Sequence, residues 1–333
     1  MRFLSLTLPA LCTAAAVSKC ENPIKRVEWR ELDDAARQQY TDAVLCLSTK
    51  PSRLGLNTTL YDDFPYVHAH LDKQIHAVAS FLPWHRFFVH VYEGALKECG
   101  YEGVMPYWDW SLDADDTPKS TIWDPKTGFG GNGSLNKTES SYDGRAVRKC
   151  LDDGPFKDLF PAYLTTNYDP HCLARGWNDG SENVGKMLSE NYNKEAVAKV
   201  QEVKDYDHYR QKLEAGPHGA IHSAIGGDMI PNTSPNGKSC TLVPPFSKII
   251  ANISDPIFFL HHVQIDRLWS LWQQEDPKSR TMEFAGYKTQ DQFDGTKPPP
   301  ASLDDMLLMN GLADDLKVKD LMSTQSSLLC YSY

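Results

Sequence analysis

Apolar residues recur at three- and four-residue intervals over residues 31–48, a spacing that predicts an amphipathic helix. Asp33 or Asp34 stands near its start and Pro51 beyond its end. A second helical pattern follows the Asn57-Thr58-Thr59 turn and runs through YDDFPYVHAH (61–70). Pro65 sits inside it and lacks the N–H a helix interior needs, so a late start or a kink is expected there. Pro83 opens a third helix, 84–99, which Gly100 ends. From Tyr101 to about Gly180 periodicity lapses into Gly, Pro, Asp, Asn and aromatic residues. Too many large apolar side chains remain there for a solvated linker, so irregular packed chain with short helices is predicted, with PYWDW (106–110) as an aromatic knot. Helical character resumes over 183–214 and continues through HGAIH (218–222). The turn-rich GGDMIPNTSPNGK then leads to a strong helix over 256–274, and a last short helix is expected near 303–308. No internal repeat interrupts this order. The pattern predicts one mainly α domain with much irregular chain and little β.

Composition narrows the function classes. The chain has 333 residues, 41% of them hydrophobic and 23% charged, enough for a large core. Its net charge of −10 argues against nucleic-acid or anionic-membrane partners. Residues 1–18 have the layout of a secretory signal peptide: Arg2, an apolar run from Leu4 to Leu11, then Ala14, Ala15 and Ala16. Later stretches fall short of the ~18 apolar residues that span a bilayer. A secreted protein without a membrane anchor is therefore expected, with residues 19–333 as its mature domain. Cys12 falls in the signal, leaving Cys20, Cys46, Cys99, Cys150, Cys172, Cys240 and Cys330. Their wide spacing reads as disulfide staples, with one thiol left over. Sequons at Asn57, Asn132, Asn136, Asn232 and Asn252 fit an N-glycosylated protein.

The histidines change the picture most. Of eleven, His68, His70, His76, His85 and His90 cluster early, and His218, His222, His261 and His262 cluster late. His218 and His222 stand four apart, so both rings leave one face of a helix and can reach one metal. The pattern lacks the glutamate of H-E-x-x-H, which removes the zinc-protease reading. The His261-His262 pair can supply a third ligand from a separate helix, and Asp266, one turn after His262, can orient a ring. His68, His76 and His85 can make a second three-histidine site. All-imidazole sites suit copper, and also zinc, better than calcium or magnesium. Two facing sites point to a copper pair that binds dioxygen.

The segments YDDFPYVH (61–68), IHAVASFLPWHRFFVHVYE (75–93), MPYWDWSLDAD (105–115), LEAGPHGAIHSAIGGDM (213–229) and DPIFFLHHVQIDRLW (255–269) resemble the tyrosinase and catechol oxidase family, in the family's order. The 8- and 9-residue steps from His68 to His76 to His85 match its pattern as well. The resemblance covers roughly residues 20–333 and is weakest over 117–205. It implies a four-helix bundle core around two coppers, copper A on His68, His76 and His85, copper B on His218, His222 and His262. His261 is then a supporting neighbour, while His70, His90, His171 and His208 match no ligand position. Glu93 and Asp266 resemble carboxylates that fix ring orientation, and Phe258 resembles an aromatic packed against the metals. Glu214 stands where the family has a glutamate proposed to hold a water.

The implied activity is oxidation of o-diphenols to o-quinones with reduction of O2 to water, on small phenols and without an obligate protein partner. Two departures bear on it. Gln74 and Ile75 precede His76, so the thioether cysteine of many members is missing. Gly219 follows His218, where members active on monophenols often carry Asn, so weaker monophenol hydroxylation is expected. A full tyrosinase, a hemocyanin-like oxygen carrier and structural zinc sites are the competing readings. The chain ends in Tyr331-Ser332-Tyr333, a motif that precedes a carboxy-terminal shielding domain in larger members, so an open site is expected. Between Asp228 and Asp255, Ile249 and Ile250 are weak candidates for a substrate gate. Because protons compete with copper for imidazole, acid should strip the metal and the activity together. Retention of both coppers after prolonged dialysis near pH ~3 would contradict this.

Overall fold

The computed structural model describes residues 20–140, 147–180, 185–230, 253–291 and 295–333. The expected signal peptide, Cys240, Asn232, Asn252, Ile249 and Ile250 lie outside them. The described chain is mainly helical, with three two-stranded sheets. Helix α1 (Asp34–Leu47) starts at Asp33, whose carboxylate accepts from the Ala36 N–H at 2.8 Å. Helix α2 (Leu60–Ile75) starts with a capping box between Thr59 and Asp62 and runs through Pro65. The missing N–H falls early, where only one helical bond is lost, so the expected late start does not occur. Helix α3 (Phe81–Glu98) begins two residues before Pro83, which therefore occupies the first turn, where no N–H partner is needed.

The predicted helical stretch over 183–214 divides into α4 (Lys194–Gln201) and α5 (Tyr206–Leu213), each capped by its own side chain, Asn193 and Asp205. A wide turn, Glu214–His218, joins α5 to α6 (Gly219–Ile225). Pro217 offers no N–H and disfavours helical backbone at Gly216, whose ψ of −109° leaves the helical region. Helix α7 (Ile257–Glu275) follows and a short α8 (Pro277–Arg280) extends it. The helix expected near 303–308 is instead a strand: Met306–Leu307 pairs with Leu316–Lys317. Asn310 and Gly311 both take positive φ between them, a turn signal that outweighs six residues of helical pattern.

Helix α3 lies centrally, packed on α1, α2 and α7. Its outer turns join a stack of rings, with Trp84 on Phe88 at 4.6 Å and Tyr92 on Phe259 of α7 at 3.4 Å between centroids. The Trp84–Phe88 contact is of the kind that adds about 0.5–1.5 kcal/mol beyond its burial. The aromatic knot also forms: Trp108 meets Trp123 at 5.2 Å, and Trp123 meets Trp177 at 5.1 Å. It docks on α7 through Gln264, which donates to Asp109 at 2.9 Å. Disulfides Cys20–Cys330, Cys46–Cys99 and Cys150–Cys172 use six of the seven cysteines expected in the mature chain. The first joins residues 310 apart, and each typically contributes about 2–4 kcal/mol.

Glu93 and Asp266 take a place the sequence reading did not give them. Asp266 accepts from Arg86 Nε at 2.5 Å and from the Tyr331 and Tyr333 hydroxyls, both at 2.5 Å. Glu93 accepts from Arg26 at 2.8 Å and Lys97 at 3.0 Å. Arginine and tyrosines at Asp266, and arginine and lysine at Glu93, occupy the two carboxylates in place of metal-site imidazoles, so they tie α3 and α7 to the two ends of the described chain. Burial works to raise the Asp266 pKa, but Arg86, Arg26 and the two hydroxyls outweigh it and hold it low. A carboxylate depressed in the folded state contributes stability above its unfolded pKa and loses it as pH falls through the folded one. Asp266→Asn leaves Arg86 buried without its counter-charge, and should lower the unfolding free energy by about 3–5 kcal/mol in denaturant titrations. A change within ~0.5 kcal/mol would show that the network is not stabilising.

Candidate metal centre

Four helices bring the histidines together. His68 leaves the third turn of α2, His76 caps the end of that helix, and His85 stands in the second turn of α3. His218 and His222 flank the wide turn and α6, and His261 and His262 lie on α7. One potential ligand atom each from His68, His76 and His85 lies within 4.8 Å of the others, and the same holds for His218, His222, His261 and His262. All seven residues are buried. The groups face each other: the His85 and His262 rings stack at 4.3 Å. Phe258 packs on His262 at 4.1 Å and on His68 at 5.3 Å, and Phe81 lies between His85 and His218 at 4.8 and 4.9 Å.

Hydrogen bonds at Nδ1 decide where the lone pairs point. Nδ1 of His85 donates to the Phe81 carbonyl at 2.7 Å, that of His218 to Glu214 at 3.0 Å, and that of His222 to Met229 at 2.8 Å. Nδ1 of His76 donates to the Asp72 carboxylate at 2.8 Å. A neutral ring that donates from Nδ1 has its lone pair on Nε2. His218 and His222 therefore aim two acceptors at each other, Nε2 to Nε2, at 3.1 Å. His68 and His85 also approach through their Nε2 atoms, at 3.3 Å. Nε2 of His76 and both ring nitrogens of His262 are buried without a hydrogen-bond partner among the described residues. Burial, then the neighbouring imidazoles, holds His85, His218 and His262 well below the usual histidine pKa. Burial alone dominates at His222, lowered to about 4. Neutral, preoriented nitrogen donors with no proton to share are the donor set that copper or zinc accepts.

The remaining predicted residues divide. His261 accepts at Nδ1 from the Trp110 indole N–H at 3.2 Å, which places its own proton on Nε2. Glu214 accepts from the Ala77 N–H at 2.6 Å and from Arg210 at 3.0 Å, and so links the His76 loop to the His218 turn. Gly219 is helical, and a Cβ there would lie 3.3 Å from the Glu214 carbonyl. His70 bonds to the Tyr66 carbonyl, His171 lies 3.3 Å from Asp228, and His208 pairs with Asp205, so these three are engaged elsewhere. Asp72 and Trp110 escaped the sequence reading. Asp72 carried a signal, four residues before His76 on a helix; Trp110 carried none.

This fold and donor set define a two-metal site built from imidazoles. The common central domain of tyrosinase matches residues 58–275, and the chain belongs to the tyrosinase family. It is 39% identical over 327 residues to the tyrosinase-like protein phomQ1 of Diaporthe leptostromiformis, covering 95% of this chain and 78% of that one. It is 37% identical over 322 residues to tyrosinase ustQ of Aspergillus flavus, covering 96% and 82%. A polyphenol oxidase from Thermothelomyces thermophila superposes with a TM-score of 0.74 at 27% identity, covering 93% of this chain and 88% of that one. The protein is thus a copper oxidoreductase of the type-3 dicopper class, whose members act on phenols with O2. Among the described residues no helix is long and apolar enough to cross a membrane.

A group whose folded pKa lies below its unfolded value binds fewer protons when folded, so stability falls with pH across that interval. For His222 the interval runs from the usual 6.5 down to about 4. The metal-free protein should lose stability steadily over that range in chemical denaturation. A constant midpoint there would contradict burial as the cause of the depressed values.

Proposed function

We propose that the protein is a secreted polyphenol oxidase that oxidises o-diphenols to o-quinones while reducing O2 to water, with weaker hydroxylation of monophenols. The observation that carries this reading is the 3.1 Å approach of two lone-pair nitrogens, His218 and His222 Nε2, opposite the stacked His85 and His262 rings. Copper A is assigned to His68, His76 and His85, and copper B to His218, His222 and His262. Two coppers held there supply dioxygen binding and the two-electron oxidation of a catechol.

Of the adjacent pair, His262 is preferred because its ring nitrogens are unpartnered, whereas Trp110 occupies the His261 Nδ1 lone pair. Phe258 blocks ring rotation of His262 by direct packing. Gly219 brings no side-chain hydrogen bond next to His218. Both oxygens of Glu214 already have protein partners, which supports a site poorly equipped to deprotonate monophenols. Secretion is supported by the three disulfides, which persist in oxidising compartments. Asn57 and Asn136 are exposed and suit glycan attachment, while the Asn132 side-chain oxygen Oδ1 accepts from the Gly133 and Trp177 N–H groups.

Oxygen uptake and quinone formation on catechol, an o-aminophenol and tyrosine test the proposal. Catechol should react without a lag, and tyrosine with a lag and an initial rate at least about tenfold lower, a barrier difference of ~1.4 kcal/mol. Equal rates on both would favour a full tyrosinase. Reversible oxygen binding without quinone would replace the enzyme by an oxygen carrier.

A further inference from the structure

We infer that Asp72 is the positioning residue for His76, fixing its ring and strengthening it as a nitrogen donor; this rests on the ligand assignment above. His76 is placed unlike the other rings. It stands just past the end of α2 with extended backbone, φ −119° and ψ 147°, and the next residue, Ala77, takes a positive φ of 54°. A ring on such a segment lacks the neighbouring turn that restricts a helical side chain.

The loop backbone is held from several sides. Gln290 donates to the His76 carbonyl at 2.7 Å, Glu214 accepts from the Ala77 N–H at 2.6 Å, and Tyr206 donates to the Ala79 carbonyl at 2.6 Å. None of these bonds touches the imidazole, so none sets its rotation. Asp72 does both jobs: its carbonyl accepts the His76 N–H at 3.0 Å and its carboxylate accepts Nδ1–H at 2.8 Å. The opposite nitrogen, Nε2, is then aimed into the buried cluster, where it has no hydrogen-bond partner.

The acceptor differs in kind as well as in place. His85, His218 and His222 donate to backbone carbonyls, whereas His76 donates to an ionisable carboxylate with little exposure. A carboxylate draws the Nδ1 proton more strongly than an amide oxygen and raises the electron density left on Nε2. His76 is therefore the strongest donor of these four rings, and the two metal positions are unequal in donor strength.

The test uses the full chain reconstituted with copper, comparing wild type, Asp72→Asn and Asp72→Ala. Asn keeps the acceptor and removes the charge; Ala removes both. Copper content is measured by elemental analysis and its release to a Cu(I) chelator is timed. Wild type should hold two coppers. Asp72→Ala should lose one of the two about 10- to 100-fold more readily, with Asp72→Asn between them and the second copper held as in wild type. The metal-free unfolding midpoint of Asp72→Asn should match wild type, which a purely structural role would not allow. If wild type holds two coppers and both variants release them at the wild-type rate, the inference fails and the ligand assignment stands. If Asp72→Ala does not fold, Asp72→Asn alone decides. If wild type binds no copper, the assignment fails and takes the inference with it.

Discussion

Two lone-pair nitrogens held 3.1 Å apart, with no proton available to lie between them, form an arrangement a protein does not keep without a reason. Each acceptor repels the other, and the fold tolerates this because the Glu214 and Met229 backbone carbonyls hold the opposite edge of each ring. Burial removes the easier escape, protonation, by making a charged imidazole costly. A cation resolves the repulsion at once. Much of the surrounding architecture can be understood as the means of keeping those nitrogens neutral, dry and correctly turned.

That requirement explains the scale of the support. The rings come from α2, its terminal loop, α3, the turn before α6, α6 itself and α7, which no local sequence preference would bring together. Their backbones are fixed by long-range clamps. Glu214 joins the His76 loop to the His218 turn, and Trp110, from the long irregular segment, reaches His261 on α7. On the far side of α3, the buried Arg86–Asp266 pair and its two tyrosines bind the bundle to the carboxyl-terminal residues.

Carboxylates show why proximity in sequence misleads here. Asp266 lies one turn from His262 on the same helix face, yet its oxygens serve arginine and tyrosine, because a buried guanidinium nearby is a stronger partner than a neutral ring. Asp72 lies equally close to His76 along the chain and does bond its ring. The difference is competition: among the described residues no arginine or lysine pairs with the Asp72 side chain. Helical spacing lists the partners a carboxylate can reach, and the surrounding charges select among them.

From the sequence alone came the helix-dominated class, the two histidine groups and the family, because i, i+4 spacing and quoted motifs are local properties. Helices α1, α2, α3 and α7 were legible within a few residues, since caps and proline positions mark their ends. The strand at Met306–Leu307 was not, because six apolar-rich residues fit either element until a pairing partner is known. Nor did the chain reveal how six cysteines pair, that Asp266 turns away from the metal site, or that Trp110 sets the His261 tautomer. Those outcomes depend on which distant groups share a buried volume, and desolvation makes that choice only once the chain is folded.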